Sequence, residues 1–312
     1  MSLIEQAAKR LEQLRQAGVE LPDENIVAAP LSRPTAEEQP SITYAKTPAS
    51  TVDQSSKAIT KVFFPTSPEV NLDIEAISAS GLLVPNAARS QLADEFRVIK
   101  RPLISNAMGK GSTPIPNGNL IMVTSALPGE GKSFSAINLA ISIAMELDNT
   151  VMLVDADVAR PSVLNMLGLP QSKGLLDVLQ NNSVDISGVL LRTNIEKLSI
   201  LPSGTAHPRA TELLASDTMI RLLEDMASRY NDRIIVFDSP PLLLTTEARV
   251  LATHMGQVVI VVNAENTVQS AVKQAISTIE ACPVKMMLLN QIRTAKTDGY
   301  GYGYGYGYGH EK

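Results

Sequence analysis

Residues 126–133 read Ala-Leu-Pro-Gly-Glu-Gly-Lys-Ser, a combination suited to holding phosphate. Gly129 and Gly131 permit turns that aim successive backbone N–H groups into one hollow. The positive end of a following helix adds to their pull. Lys132 supplies a full positive charge, and Ser133 a hydroxyl able to ligate Mg²⁺. The strict form of this motif starts with Gly; here Ala126 stands in its place, as the looser form permits. Pro128, Gly129, Glu130, Gly131, Lys132, Ser133 and Phe134 are the candidate nucleotide-binding residues.

Carboxylates follow two later apolar runs. Asp155 and Asp157 close Thr150–Ala156, and Asp238 closes Arg233–Asp238 ahead of Ser239, Pro240 and Pro241. An isolated Asp after a strand is an ordinary turn former. In a parallel sheet, however, ligands gather at the carboxyl ends of strands, so these acids should face the phosphate loop. There they can serve a hard cation such as Mg²⁺ or accept a proton. A third chemical group ends the chain. Tyr300, Tyr302, Tyr304, Tyr306 and Tyr308 alternate with glycine, and five flexible phenols in a row read as an acceptor array or as a sticky low-complexity tail.

The elements that must position these groups alternate. Strands are expected at Leu120–Ala126, Thr150–Ala156, Leu198–Leu201, Arg233–Asp238, Gln257–Asn263 and Val284–Asn290. Helices are expected at Ala87–Lys100, Lys132–Leu147, Thr211–Tyr230 and Val268–Cys282. Continuous apolar strands separated by helices imply an α/β fold of the P-loop NTPase type, with a mostly parallel central sheet and helices on both faces. Residues 71–298 form that domain. Residues 1–18 read as an amphipathic helix carrying Leu3, Ala7, Leu11 and Leu14, residues 19–70 as a proline-rich linker, largely disordered, and residues 299–312 as a flexible tail.

Composition narrows the function classes. With 27 Lys and Arg against 32 Asp and Glu, the formal net charge of the 312-residue chain is −5, which gives no support to nucleic-acid binding. One cysteine, Cys282, excludes an internal disulfide framework and a cysteine-rich zinc site. No apolar run approaches the ~20 residues of a spanning helix. The expectation is a cytoplasmic protein, with any membrane contact made through a partner or a surface helix.

Taken together, these segments resemble the bacterial tyrosine kinases of capsule and exopolysaccharide synthesis. Ser125–Ser133 resembles their Walker A motif, Val151–Ser162 their Walker A′ motif and Ile234–Leu243 their Walker B motif. Glu95–Leu103 and Ser239–Ala252 are most similar to the exosortase-associated (XrtA-type) autokinases. The resemblance spans roughly residues 87–309. It departs where many members carry Arg four residues after the first A′ aspartate: here stands Ala159, followed by Arg160.

The resemblance implies an ATP-dependent autokinase that phosphorylates its own tyrosine tail. ATP and its product ADP would sit on Lys132 and Ser133, with Mg²⁺ held by Ser133, Asp157 and Asp238. Asp155 would accept the tyrosine proton. Asn290 would read the adenine base, as in similar ATPases, or form a turn; both readings stand. Asp94, Arg97 and Lys100 approximate the family's Glu-x-x-Arg-x-x-Arg pattern of subunit contacts, or else form a solvated charged face. The resemblance further implies a homo-oligomer exchanging tails between subunits and a transmembrane polysaccharide chain-length regulator as activator. Two other functions fit a phosphate loop. A Min/Par-type ATPase switch would carry a second lysine early in the loop, where Ala126, Leu127 and Pro128 stand. A nucleotide-binding structural subunit of an export machine would leave its tail unphosphorylated.

Overall fold

The sheet is organised by which residues can be buried on both faces. In the computed structural model, four strands are apolar almost throughout and lie at its centre: β2 (Leu120–Ser125), β3 (Thr150–Asp155), β6 (Arg233–Asp238) and β7 (Gln257–Asn263). Around them are β1 (Glu69–Val70), β4 (Leu191–Thr193), β5 (Leu198–Leu201) and β8 (Val284–Asn290). The structure describes residues 67–85, 90–111, 113–181, 184–229 and 232–293. The expected helix at 2–17, nearly all of the linker and the whole tyrosine repeat lie outside them.

The strand order is β1-β4-β5-β3-β6-β2-β7-β8. Every pair is parallel except β4–β5, which is antiparallel. Alternate side chains of one strand enter opposite core layers. Met122 and Phe237 belong to one layer, and Ile121, Val123 and Val236 to the other. That two-sided burial is why the central strands read as unbroken apolar runs.

The helices are α1 (Ile74–Ala79), α2 (Gln91–Ala107), α3 (Lys132–Ala144), α4 (Val163–Met166), α5 (Leu175–Gln180), α6 (Ala210–Leu214), α7 (Asp217–Arg229), α8 (Thr246–Thr253) and α9 (Gln269–Ser277). Several differ from the sequence expectation. The helix expected at Ala87–Lys100 starts later, where Ser90 caps it by accepting from the Ala93 N–H, and runs on through Pro102 to Ala107 because Phe96 and Leu103 are both buried. The helix expected at Thr211–Tyr230 is two helices. Ser216 breaks it, and its hydroxyl accepts from the Met219 N–H, the cap geometry that starts α7. β1 falls inside the stretch read as linker and pairs with Arg192 and Thr193 of β4. Among the described residues, no helix is long and apolar enough to cross a membrane.

The short helix α5 is tied to the turn after β5. Gly174 packs so close to the Pro202 carbonyl that a Cβ would collide with it. The Asp177 carboxylate accepts from the Gly174 N–H at 2.8 Å, the Thr205 N–H at 3.0 Å and the Thr205 hydroxyl at 2.8 Å. Partial burial works against its charge, but these donors and Lys173 prevail and hold its pKa below the ordinary carboxylate range. A carboxylate with a lowered folded pKa stabilises above its unfolded value of ~3.9, and that contribution is lost as pH falls through the folded value. Asp177→Ala is therefore expected to cost about 1–2 kcal/mol at pH 7, with the gap closing below about pH 4. Urea unfolding of both proteins across that range checks it.

Candidate active site

β2 delivers the chain to a loop, residues 126–131, that turns directly into α3. Gly129 has φ +83° and Gly131 φ +92°, values at which a side chain would be strained. Gly131 is the N-cap of α3, so Lys132 and Ser133 occupy the first turn, at the positive end of the helix. β3 and β6 end beside this loop, and Asp155 and Asp238 are direct register partners.

Lys132 reaches across to the acids. Its Nζ lies 2.6 Å from Asp157 Oδ2 and 3.8 Å from Asp238 Oδ1. Asp155 Oδ2 accepts from the Ser162 and Val163 N–H groups at 3.1 Å each, and Asp157 Oδ1 from the Arg160 N–H at 3.1 Å. The Ser162 hydroxyl donates to Ser133 Oγ at 2.8 Å. The first-turn hydroxyl and the A′ segment thus share one wall. Asp155 Oδ1, both Asp238 oxygens and the Ser239 hydroxyl are buried and accept no hydrogen bond.

The electrostatics follow from burying three carboxylates around one ammonium. Burial, reinforced by the charges of Asp238 and Asp157, pushes Asp155 up to about 7 against the Val163 and Ser162 N–H donors. Burial likewise raises Asp238 to about 6, opposed by Lys132. For Lys132, burial disfavours the charge, but Asp238, Asp157 and Asp155 outweigh it and raise its pKa. Among the described residues, no group of three or more His, Cys, Asp and Glu is arranged to hold a metal by itself. Orphaned carboxylate oxygens beside a serine hydroxyl do suit a hard cation that completes its shell with water and phosphate.

A cleft of about 520 Å³ opens above these groups. The phosphate loop, the segment from Asp157 to Met166 and the segment from Pro240 to Thr245 contribute its walls. Asp157 lines it; Asp155 and Asp238 lie beneath, 1% and 0% exposed.

Other sequence-selected residues take different places. Glu130 does not offer its carboxylate to the cleft. It is buried, accepting from the Leu127 N–H at 2.6 Å and from the Thr267 hydroxyl, so only its backbone is free to face phosphate. Phe134 is half-buried between the cleft and a second cavity of about 820 Å³ beside α2 and β8. Asn290, at the end of β8, donates to the Glu130 carbonyl at 2.9 Å. Asp94, Arg97 and Lys100 do not share one surface. Asp94 and Arg97 are exposed and pair with each other. Lys100 is 5% exposed, 2.7 Å from Glu146 and donating to the Ser142 carbonyl of α3, so it holds α2 to α3 rather than facing outward. Thr267, Asn263 and Gln291 contact the loop network without belonging to any motif, and sequence reasoning passed over them.

Comparison with known proteins accords with this site. Residues 118–292 match the family model described as an AAA domain. Tyrosine-protein kinase YwqD of Bacillus subtilis is 33% identical over 182 residues, 58% of this chain and 75% of that protein. The chain belongs to the bacterial tyrosine-kinase family. The putative tyrosine-protein kinase CapB of Staphylococcus aureus is 28% identical over 71% of this chain and 93% of its own length. The kinase domain of Escherichia coli tyrosine kinase ETK superposes with a TM-score of 0.60 at 27% identity, over 72% of this chain and 84% of that domain. The protein is thus a P-loop protein-tyrosine kinase.

The raised Asp155 gives this kinase a stability signature. A carboxylate whose folded pKa exceeds its unfolded value binds fewer protons when unfolded, so stability falls as pH rises from about 4 to 7. Asn cannot ionise yet keeps an oxygen for the Ser162 and Val163 N–H groups. Without nucleotide, Asp155→Asn is expected to exceed wild-type stability by on the order of 1–3 kcal/mol at pH 8, the advantage nearly vanishing at pH 4. Chemical denaturation at the two pH values measures this.

Proposed function

We propose that this kinase is an ATP- and Mg²⁺-dependent tyrosine autokinase that phosphorylates its own C-terminal tail, mainly between molecules. The observation that carries the reading is Lys132 set among Asp155, Asp157 and Asp238 at the mouth of a phosphate loop, in a chain whose last strand leads from that loop toward five Gly-spaced tyrosines. The backbone of residues 128–131 and Lys132 would hold the β- and γ-phosphates. Mg²⁺, ligated by Ser133, Asp157 and Asp238, would supply neutralising charge. A tyrosine hydroxyl seated in the cleft forms a bond to the γ-phosphorus as the bond to the β-phosphate oxygen breaks, releasing ADP. Its proton goes to the carboxylate cluster, where burial and the charges of Asp238 and Asp157 raise the proton affinity of Asp155. With an ordinary pKa near 10, the phenol needs such an acceptor at neutral pH.

Length does not forbid a tail from reaching its own cleft: 18 residues from Asn290 to Tyr308 span up to ~60 Å. Direction favours a neighbour, because a chain leaving the loop's rim must double back, and Tyr300 has only ten residues in which to do so. The resemblance of the motifs to the kinases of capsule and exopolysaccharide synthesis, and in finer detail to the exosortase-associated autokinases, supports a role in the control of exopolysaccharide polymerisation or export. It also points to a transmembrane chain-length regulator that recruits the kinase to the inner membrane from the cytoplasmic side and activates it.

The decisive experiment mixes two proteins with Mg-ATP. One is Lys132→Met with its tail intact; the other is active but truncated before Gly299. Phosphotyrosine on the first is expected, since neither can produce it alone. Its absence, with both proteins folded, rejects transfer between molecules. Charge gives a second expectation. Five phosphotyrosines add about −7.5 to −10, more than the whole net charge of −5. Phosphorylated protein is expected to self-associate less at low salt, read by sedimentation against its dephosphorylated form.

A further inference from the structure

A phosphate nest works only if its N–H groups converge, and this loop shows what holds them. In a trans peptide, the carbonyl of one residue and the N–H of the next point in opposite directions. The Gly129 carbonyl accepts from Gln291 Nε2 at 3.1 Å, and the Glu130 carbonyl from Asn290 Nδ2 at 2.9 Å. Both carbonyls are thereby drawn toward the end of β8. The N–H groups of Glu130 and Gly131, on the far side of the same peptide planes, are turned away from β8.

The amides are themselves anchored. Asn290 leans so closely on Gly131 that a Cβ there would strike its Nδ2. Gln291 Oε1 accepts from Asn263 Nδ2, which fixes its nitrogen toward the loop. Gln291 adopts φ +58°, an uncommon conformation for a side-chain-bearing residue. On the other flank, the buried Glu130 carboxylate ties the Leu127 N–H to Thr267. The loop is thus gripped from the ends of β7 and β8 by groups that leave its phosphate-facing side free.

We infer that Asn290 and Gln291 are positioning residues that orient the peptide planes of the phosphate nest, and that Asn290 acts on phosphate rather than on the adenine base. The inference rests on the nucleotide-site reading given above. It separates from base recognition by one property: a nest is indifferent to the base, whereas a base reader is indifferent to a ligand that has none.

The test uses the full chain and three probes: ATP, GTP and inorganic tripolyphosphate, each with Mg²⁺, titrated calorimetrically. Binding of ATP and tripolyphosphate to the wild type establishes the site itself; failure there defeats the nucleotide-site reading rather than this inference. Asn290→Leu and Gln291→Met keep side-chain volume and remove the donors. Each is expected to weaken all three probes by about fivefold to tenfold, the worth of a hydrogen bond of ~1 kcal/mol, with the ATP-to-GTP preference unchanged within about twofold. The KM for ATP should rise more than kcat falls. A loss confined to ATP, or no loss for tripolyphosphate, overturns the inference. Thermal unfolding confirms that each variant is folded, and Gln291→Met alone decides if Asn290→Leu is not.

Discussion

One ammonium among three buried carboxylates sets the terms for this candidate active site. Asp155, Asp157 and Asp238 are brought together by strand register, not by local sequence: β3 and β6 run side by side and end level with each other. Burying three such groups without compensation would cost several kcal/mol. Lys132 supplies part of the compensation through Asp157 and Asp238, and backbone N–H groups of the A′ segment supply more through Asp155 and Asp157. What is left over, chiefly Asp155 Oδ1 and the Asp238 oxygens that accept no hydrogen bond, leaves negative charge in excess. A site with that imbalance favours a cation-bearing ligand, and burial within it raises Asp155 to about 7 and Asp238 to about 6, the range where protons move at neutral pH.

The same constraint explains why the loop must be rigid. Lys132 can face the acids only if α3 begins where it does, and α3 begins there because Gly131 takes a left-handed turn. The helix itself is fixed from outside by Lys100, which spans from α2 to the C-terminal end of α3. Charge at the centre, glycine geometry at the loop and the buried Lys100 ammonium at the far end of the helix are parts of one mechanical path.

The motifs were legible because each is short and each sits at an element boundary that the apolar runs announce. Four of the expected strands, Leu198–Leu201, Arg233–Asp238, Gln257–Asn263 and Val284–Asn290, have the observed bounds; burial leaves an unbroken apolar signature in the inner ones, whereas the half-exposed edge strand Val284–Asn290 is marked by its apolar run after Pro283. The short helices α1, α4, α5 and α8 were missed: four to eight residues are too few for a helical period to stand out. β4 escaped because three residues paired antiparallel to β5 carry no pattern of their own. Lys100 shows the harder limit. Spacing placed it with Asp94 and Arg97, but whether a helical lysine meets solvent or a neighbouring helix depends on packing that sequence does not display. The Thr267–Glu130 and Gln291–Gly129 contacts follow the same rule, each joining residues more than 130 apart in the chain.

The position of β8 has a consequence for how the protein is made. Chains emerge from synthesis N-terminus first, and early segments begin to fold before later ones exist. The phosphate loop lies in the first strand–helix unit of the central sheet, yet two of its carbonyls find their partners only at residues 290 and 291. A nascent chain therefore carries the complete Ala126–Ser133 motif long before it carries the groups that brace it. The bracing arrives together with the last strand, just ahead of the tyrosines. Order of synthesis thus leaves the loop without its braces until the residues that close β8 have been translated.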